Sequence, residues 1–303
     1  IKAQYKDCFL FFRLGDFYEL FFDDALLAAK ELEITLTSRM GGKEERVPMC
    51  GVPHHSADQY IKKLIDKGYK VAICEQVEDP REAKGVVKRE VVRVITPGTL
   101  VEENFLVAKE NNYILFLGKE ADKYALVSCD MSTGELMGTD NGCLEQIVEE
   151  LSHFRSNEII IDDRYTEKEI AQVKQLKRVA LINVLAVTPV SLPKELTSTL
   201  EAKPLSGALS RALQLMYLYL TNTQKRAIEH LQPFQYYQSD QYLLLDSFSK
   251  RNLELLETIR DQGRKGSLIW LLDETATAMG GRLIKKWLQR PLMNLQAINR
   301  RLD

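Results

Sequence analysis

The 303-residue sequence contains no apolar run near the roughly 20 residues that a membrane-spanning helix needs, so an embedded body is excluded. It also lacks a charge of one sign. Lys plus Arg number 41 against 43 Asp plus Glu, for a net charge of -2, without the basic bias that announces a nucleic-acid protein by composition. Histidine is scarce, at four residues, and no Ser/His/Asp or Cys/His arrangement emerges from them. The phosphate loop GxxxxGK[ST] is missing, which excludes a P-loop nucleotidase within these residues. Cysteine is sparse and odd in number: Cys8, Cys50, Cys74, Cys129 and Cys143 are far apart, with no CxxC pair. They read as reduced cytosolic thiols. Cys50, His54 and His55 would offer three zinc ligands, but a fourth is missing, and no metal is expected. Internal repeats, low-complexity tracts, a signal peptide and lipidation motifs are also missing. The chain opens at Ile1 and stops at Asp303 within a helical pattern, so a longer, cytoplasmic parent is expected.

What is present suggests several domains, since 28% charged and 45% hydrophobic residues over this length suit a soluble multidomain chain. In the first hundred residues, the runs Cys8 to Arg13 and Phe17 to Phe22 flank Gly15-Asp16 and read as two strands. Asp23 or Asp24 can cap a helix that runs on to Leu32, and Ile34 to Thr37 returns to strand character. Ser56 and Gln59 form a capping-box pattern ahead of Tyr60, Ile61, Leu64 and Ile65, and Gly68 supplies the stop. Val71 to Glu75 and Val86 to Ile95 are further strands, and Thr96-Pro97-Gly98-Thr99 breaks the pattern.

From Tyr113, three short strands (Tyr113 to Gly118, Tyr124 to Asp130, Gly134 to Gly138) read as an antiparallel meander. Helices at Cys143 to Phe154 and Glu167 to Leu176 then alternate with strands at Glu158 to Asp162 and Val179 to Val187. That order describes a mixed sheet covered by helices, as in ribonuclease-H-like folds. Ser206 to Leu231 reads as one long helix, and Leu243 to Ile259 and Thr275 to Gln289 as amphipathic helices. The pair Gly280-Gly281 implies close helix packing.

The most informative motif is Phe12-Arg13-Leu14-Gly15-Asp16-Phe17-Tyr18-Glu19-Leu20. On a strand, residues two apart share a face, so Phe17 and Glu19 are presented together while Tyr18 faces the other way. An apolar ring beside a hydrogen-bond acceptor can stack on an unstacked base and meet its edge. The same pattern also suits a core phenylalanine with a solvated neighbour. A rival enzyme reading centres on Asp130. A strand-borne Asp in a ribonuclease-H-like domain, with Glu145, Glu149, Asp162 or Asp163 as partners, could begin a two-metal nuclease or resolvase site, although a strand-end Asp often just caps a turn.

The stretch from Phe9 to Asp24 closely resembles the mismatch-recognition domain of the bacterial MutS family of DNA mismatch-repair sensors. Leu36 to Arg39, Val47 to His55, Val71 to Gln76 and Val91 to Thr99 match in order, as do Asp246, Arg251 to Glu254, Gly281-Arg282, Trp287-Leu288 and Pro291-Leu292 near the end. The resemblance implies a mixed α/β mismatch-recognition domain at 1–97, a linker at 98–108, a ribonuclease-H-like α/β connector at 109–233 and the all-α start of a helical core or lever domain at 234–303. It further implies that Phe17 inserts beside a mispaired base, that Glu19 hydrogen-bonds to that base and that Leu14 helps fill the minor groove. Arg39, Lys62, Lys63 and Arg93 are candidate phosphate contacts. Residues 1–100 hold sixteen Lys plus Arg and sixteen Asp plus Glu, so the rest of a parent is expected to supply most of the grip. Mismatched double-stranded DNA, the partner protein MutL and a homodimer of the parent follow from the family. ATP and Mg2+ belong to an ATPase domain expected in the parent, and neither cofactor nor catalysis is expected of this chain.

Overall fold

A computed structural model describes residues 1–41, 45–78, 87–100, 109–176, 181–198, 205–225, 228–243 and 245–303. The chain forms two compact units, 1–100 with 218–229 and 101–217 with 230–303. The expected linker falls largely outside the described residues, at 101–108, as do Val86 and the first residues of the strand expected from Val179.

In the first unit the strands are β1 (Cys8–Leu14), β2 (Phe17–Phe21), β3 (Thr37–Gly41), β4 (Glu45–Pro53), β5 (Lys70–Gln76) and β6 (Arg89–Ile95), with helices α1 (Phe22–Leu32) and α2 (Ala57–Asp66). They form one sheet in the order β3-β4-β2-β1-β5-β6. Only the β1/β5 pair within it is parallel. Phe9, Phe11, Tyr18, Leu20, Cys50 and Val52 are buried, and so are Ala25, Ala28 and Leu32 of α1 and Ile61, Leu64 and Ile65 of α2. Alternation along the strands thus sends one set of side chains under the two helices. Cys50 lies on this side, its thiol donating to the Ala25 carbonyl at 3.6 Å while burial pushes its pKa up to about 11.

Two capping expectations are corrected. Ser56 makes no side-chain cap to α2, because a short 3-10 turn at His54–Ser56 precedes the helix and its hydroxyl donates instead to the Pro53 carbonyl at 3.2 Å. Neither Asp23 nor Asp24 caps α1. The chain turns directly from β2 into the helix through Phe22 at φ 53°, and Asp24 accepts from the Leu10 N–H at 3.0 Å and the Lys2 ammonium at 2.8 Å.

The second unit contains β7 (Tyr113–Glu120), β8 (Lys123–Asp130), β9 (Glu135–Asn141), α3 (Leu144–Leu151), β10 (Ser156–Asp162), α4 (Glu167–Leu176), β11 (Leu181–Leu185), α5 (Lys194–Thr197), α6 (Gly207–Gln224, belonging to this unit as far as Tyr217) and β12 (Gln235–Tyr236). The sheet order is β11-β10-β7-β8-β9-β12, an antiparallel meander extended by parallel β10 and β11. Every residue from Tyr113 to Gly118 is buried, the continuous run expected of a strand covered on both sides. Leu115, Leu117, Ile159 and Ile161 share a core with Leu144, Ile147 and Leu151 of α3 and Val173 of α4. On the other side α6 comes so close to β7 that a Cβ on Gly118 would lie 2.3 Å from the Ala208 carbonyl oxygen.

The remainder is helical: α7 (Ser247–Asn252), α8 (Leu268–Leu272), α9 (Ala278–Gln289) and α10 (Leu295–Leu302). Asp246, Ser267, Thr277 and Asn294 cap them through their side chains. These pieces are shorter than the periodicity suggests. The helix expected over Leu243 to Ile259 is confined to α7 because Asp246 starts it late and Glu254 adopts φ 46°. The long helix expected to reach Leu231 ends at Gln224, ahead of Lys225 at φ 55°. Gly281 admits the stem of Lys109, whose Cδ would lie 2.6 Å from an added Cβ, where close packing of helices was expected. Among the described residues, no helix is long and apolar enough to cross a membrane.

Candidate functional site

Leu14 and Phe17 face each other across the β1/β2 hairpin, and the two residues between them, Gly15 and Asp16, make the turn. Gly15 has φ 58°, a conformation that a side chain at this first turn position would oppose. The tip is held on both sides: the Asp16 carbonyl accepts from the His54 N–H at 2.8 Å, and the Gly15 carbonyl accepts from the Arg13 guanidinium at 2.6 Å. The next residue, Tyr18, is buried, its ring against Phe11 and His54 and its hydroxyl donating to the Glu75 carboxylate on β5. Burial first, then that carboxylate, pushes the phenol well above its ordinary value, so Tyr18 remains a donor.

With Tyr18 turned under the helices, Phe17 and Glu19 emerge on the opposite side of the sheet. Phe17 is 46% exposed, high for a phenyl ring on a paired strand. Glu19 is half-buried, and its Oε2 is enclosed without a hydrogen-bond partner among the described residues. Arg39, on β3, brings a guanidinium nitrogen to 3.6 Å from that oxygen, an ion-pair distance rather than a hydrogen bond. Across from Glu19 on β4 stands Gly51, where an added Cβ would sit 3.3 Å from the Tyr18 carbonyl oxygen and 3.5 Å from Glu19 Cγ. A residue without a side chain therefore leaves room beside the carboxylate. The sequence reading missed this role of Gly51, although its signal lies in the register of β2 with β4.

Leu14, Phe17, Glu19 and Arg39 are thus gathered on one side of the sheet. Lys62 and Lys63 are not brought to this group. They lie on α2, which turns Ile61, Leu64 and Ile65 inward under the other side, and the Lys63 ammonium rests 5.9 Å from the Tyr60 ring centroid. Arg93 is on β6 and donates to the Thr99 carbonyl at 3.0 Å, which binds it into the Thr96–Thr99 turn.

Asp130 sits at the end of β8, fully buried. One carboxylate oxygen accepts from the Ser132 N–H at 2.8 Å and its hydroxyl at 2.7 Å; the other accepts from Asn111 at 2.6 Å. The Ser132 bonds close the β8–β9 turn, and Asn111 ties it to the segment ahead of β7. Asp162 is taken by Arg211 at 2.5 and 2.6 Å, while Glu145 and Glu149 are exposed on α3. Among the described residues no three His, Cys, Asp or Glu side chains are grouped to hold a metal ion. The donor set that a two-metal nuclease requires is not assembled around Asp130.

Comparison with known proteins matches three family models in order along the chain. Residues 1–104 match the family model of MutS domain I, residues 104–232 that of MutS domain II and residues 249–303 that of MutS domain III. The DNA mismatch repair protein MutS of Geobacillus thermodenitrificans is 53% identical over 304 residues, covering 100% of this chain and 33% of the relative. That of Geobacillus sp. strain WCH70 is 54% identical over 304 residues, with 100% and 35% covered, and that of Bacillus velezensis 50% identical over 305 residues, with 100% and 34% covered. The chain spans about a third of the length of these curated relatives. With three consecutive domain models matched in order and half or more of the residues shared along its whole length, the chain belongs to the MutS family.

Proposed function

We propose that this chain recognises mispaired or looped double-stranded DNA in DNA mismatch repair, with Phe17 inserted beside the mispaired base, Glu19 hydrogen-bonding to that base and Leu14 filling the minor groove next to it. One observation carries the reading: a half-exposed phenyl ring shares a strand face with a carboxylate oxygen that is enclosed yet lacks a hydrogen-bond partner among the described residues. A buried acceptor left unsatisfied is costly, and a base edge would satisfy it. Arg39 stands where it can steady that carboxylate or meet a neighbouring phosphate. Selection then follows from mechanics. A mismatch unstacks and kinks at lower cost than a Watson-Crick pair, so a wedge that demands a kink favours the error irrespective of sequence.

The balanced charge of residues 1–100 supports a division of labour in which this domain discriminates while the rest of a longer protein grips. The second sheet, with its meander followed by two parallel strands, supports the reading of a ribonuclease-H-like connector that relays the signal to MutL and performs no chemistry. In that longer protein, a homodimer would let one subunit insert its wedge, and an ATPase domain using ATP and Mg2+ would convert recognition into signalling. No step of that ATP chemistry is assigned to the residues described here.

The test is the affinity of the full-length parent for a duplex carrying one G·T mismatch and for its matched control, with and without Phe17→Ala, at fixed salt. Loss of the preference with an unchanged circular dichroism spectrum is expected. Unchanged discrimination overturns the assignment of Phe17.

A further inference from the structure

The second unit holds a cavity of about 690 Å³ between the turn at Ser152 to Arg155, α7 and α9. Its walls include the apolar side chains of Tyr113, Met137, Leu255 and Ile269. Among the described residues that line it, eight are Lys or Arg and two are Glu. Several of these cations are neutralised: Arg155 and Lys285 share Glu110, Lys286 meets Glu135, Arg264 meets Asp273 and Arg290 meets Glu150. Lys250, Arg251 and Arg282 have no carboxylate within ion-pair distance among the described residues. Lys250 rests its ammonium on His153 Nδ1 at 2.7 Å, and burial together with the nearby Arg290 charge holds its pKa down to about 8. The Nε–H groups of Arg282 and Arg290 are buried without an acceptor among the described residues. Positive charge is therefore concentrated in a concave space, with donors left over.

We propose that this cavity is a binding site for a phosphate group, held by Lys250, Arg251 and Arg282. Guanidinium groups match the spacing of phosphate oxygens, and a doubly charged anion would offset the mutual repulsion of the three cations. The volume lies within the range of small-molecule sites, and its apolar wall gives the remainder of a phosphorylated ligand a surface to cover. The phosphate could belong to a free molecule or to a nucleic-acid backbone, and two titrations separate these sources.

The whole chain is titrated calorimetrically with inorganic pyrophosphate and, separately, with a matched duplex, both at constant ionic strength. Arg282→Gln and Lys250→Gln are compared with wild type. Arg251→Gln, at an exposed position, guards against loss of fold, and Lys123→Gln, at the start of β8 and outside the cavity, is the control. Each cavity substitution is expected to weaken pyrophosphate binding about tenfold or more, the loss of a charge-assisted hydrogen bond, while the control binds as wild type. If only the duplex binds and the cavity substitutions abolish it, the phosphate comes from a backbone. Absence of binding in both titrations, or binding indifferent to all three cavity substitutions, overturns the proposal.

Discussion

Replacing Arg290 by methionine tests how far one buried charge pair governs the second unit. The Arg290 guanidinium donates to Glu150 and, at 3.0 Å, shares the Tyr237 hydroxyl, which itself donates to Glu150 at 3.0 Å. Both charged side chains are nearly solvent-free, at 5% and 6% exposure. The guanidinium carbon also lies 4.9, 4.4 and 5.2 Å from the ring centroids of Phe154, Tyr237 and Tyr242. Arg290→Met strands the Glu150 carboxylate, and breaking a buried pair from one side costs about 3–5 kcal/mol. With a urea m value of about 2–3 kcal/mol/M, the unfolding midpoint falls by about 1–2.5 M. Glu150→Gln should cost less, because the three rings still attract the cation left behind. The double substitution Arg290→Met with Glu150→Leu should recover most of the loss, since no charge is then buried. Trp270 and Trp287 are the chain's two tryptophans and both belong to this unit, so their fluorescence reports its unfolding separately from that of the first unit. A midpoint unmoved by Arg290→Met, or a double variant as unstable as the two single losses added together, refutes the reasoning.

Three further outcomes are expected. Gly118→Ala should destabilise the second unit by about 1–3 kcal/mol or more by overpacking, because the new Cβ would meet the backbone of α6 at the Ala208 oxygen and, at 2.5 Å, the Ala212 nitrogen; urea midpoints measure it. Burial alone would raise the Glu169 pKa, but hydrogen bonds from Lys119, Tyr124 and Thr166 hold it at about 2. The stabilisation it gives is complete above its unfolded value of about 4.5 and is lost as pH falls towards 2, so the wild-type advantage over Glu169→Gln in unfolding midpoint should vanish across that window. Arg39→Gln should cost at most about 1 kcal/mol of stability, since the Arg39 side chain is largely exposed even though the Glu19 oxygen it meets is enclosed, while lowering affinity for matched and mismatched duplex by the same factor; a change in discrimination alone would instead show that it acts through Glu19.

The alternation Phe17-Tyr18-Glu19 was legible because a strand has a period of two and the burial of one member fixes the side taken by the others. The order of elements from Tyr113 to Leu185 was legible for a similar reason, each apolar run being short, continuous and bounded by turn residues, and the helix at Glu167 to Leu176 has the ends that its pattern suggests. What could not be read depends on partners distant in the chain. Arg39 reaches Glu19 only because β4 lies between their strands, and Arg290 meets Glu150 from 140 residues away. Local competition explains other differences: the Ser56 hydroxyl found the Pro53 carbonyl before the helix it was expected to cap, and Glu254 in a left-handed conformation cut short an otherwise amphipathic run.

The tie from Tyr18 to Glu75 bears on who does the deforming when a duplex meets the hairpin. Phe17 is joined to a residue that is packed on both flanks and tethered to β5, on an inner strand of a six-stranded sheet, with its turn pinned at Gly15 and Asp16. Little backbone freedom remains to be frozen there, so if the hairpin inserts as proposed, it would add almost no ordering entropy of its own to the binding free energy. On the proposed wedge role, the difference between a sound and a faulty base pair would then be carried by the stiffness of the duplex, against which the hairpin would act as a fixed anvil.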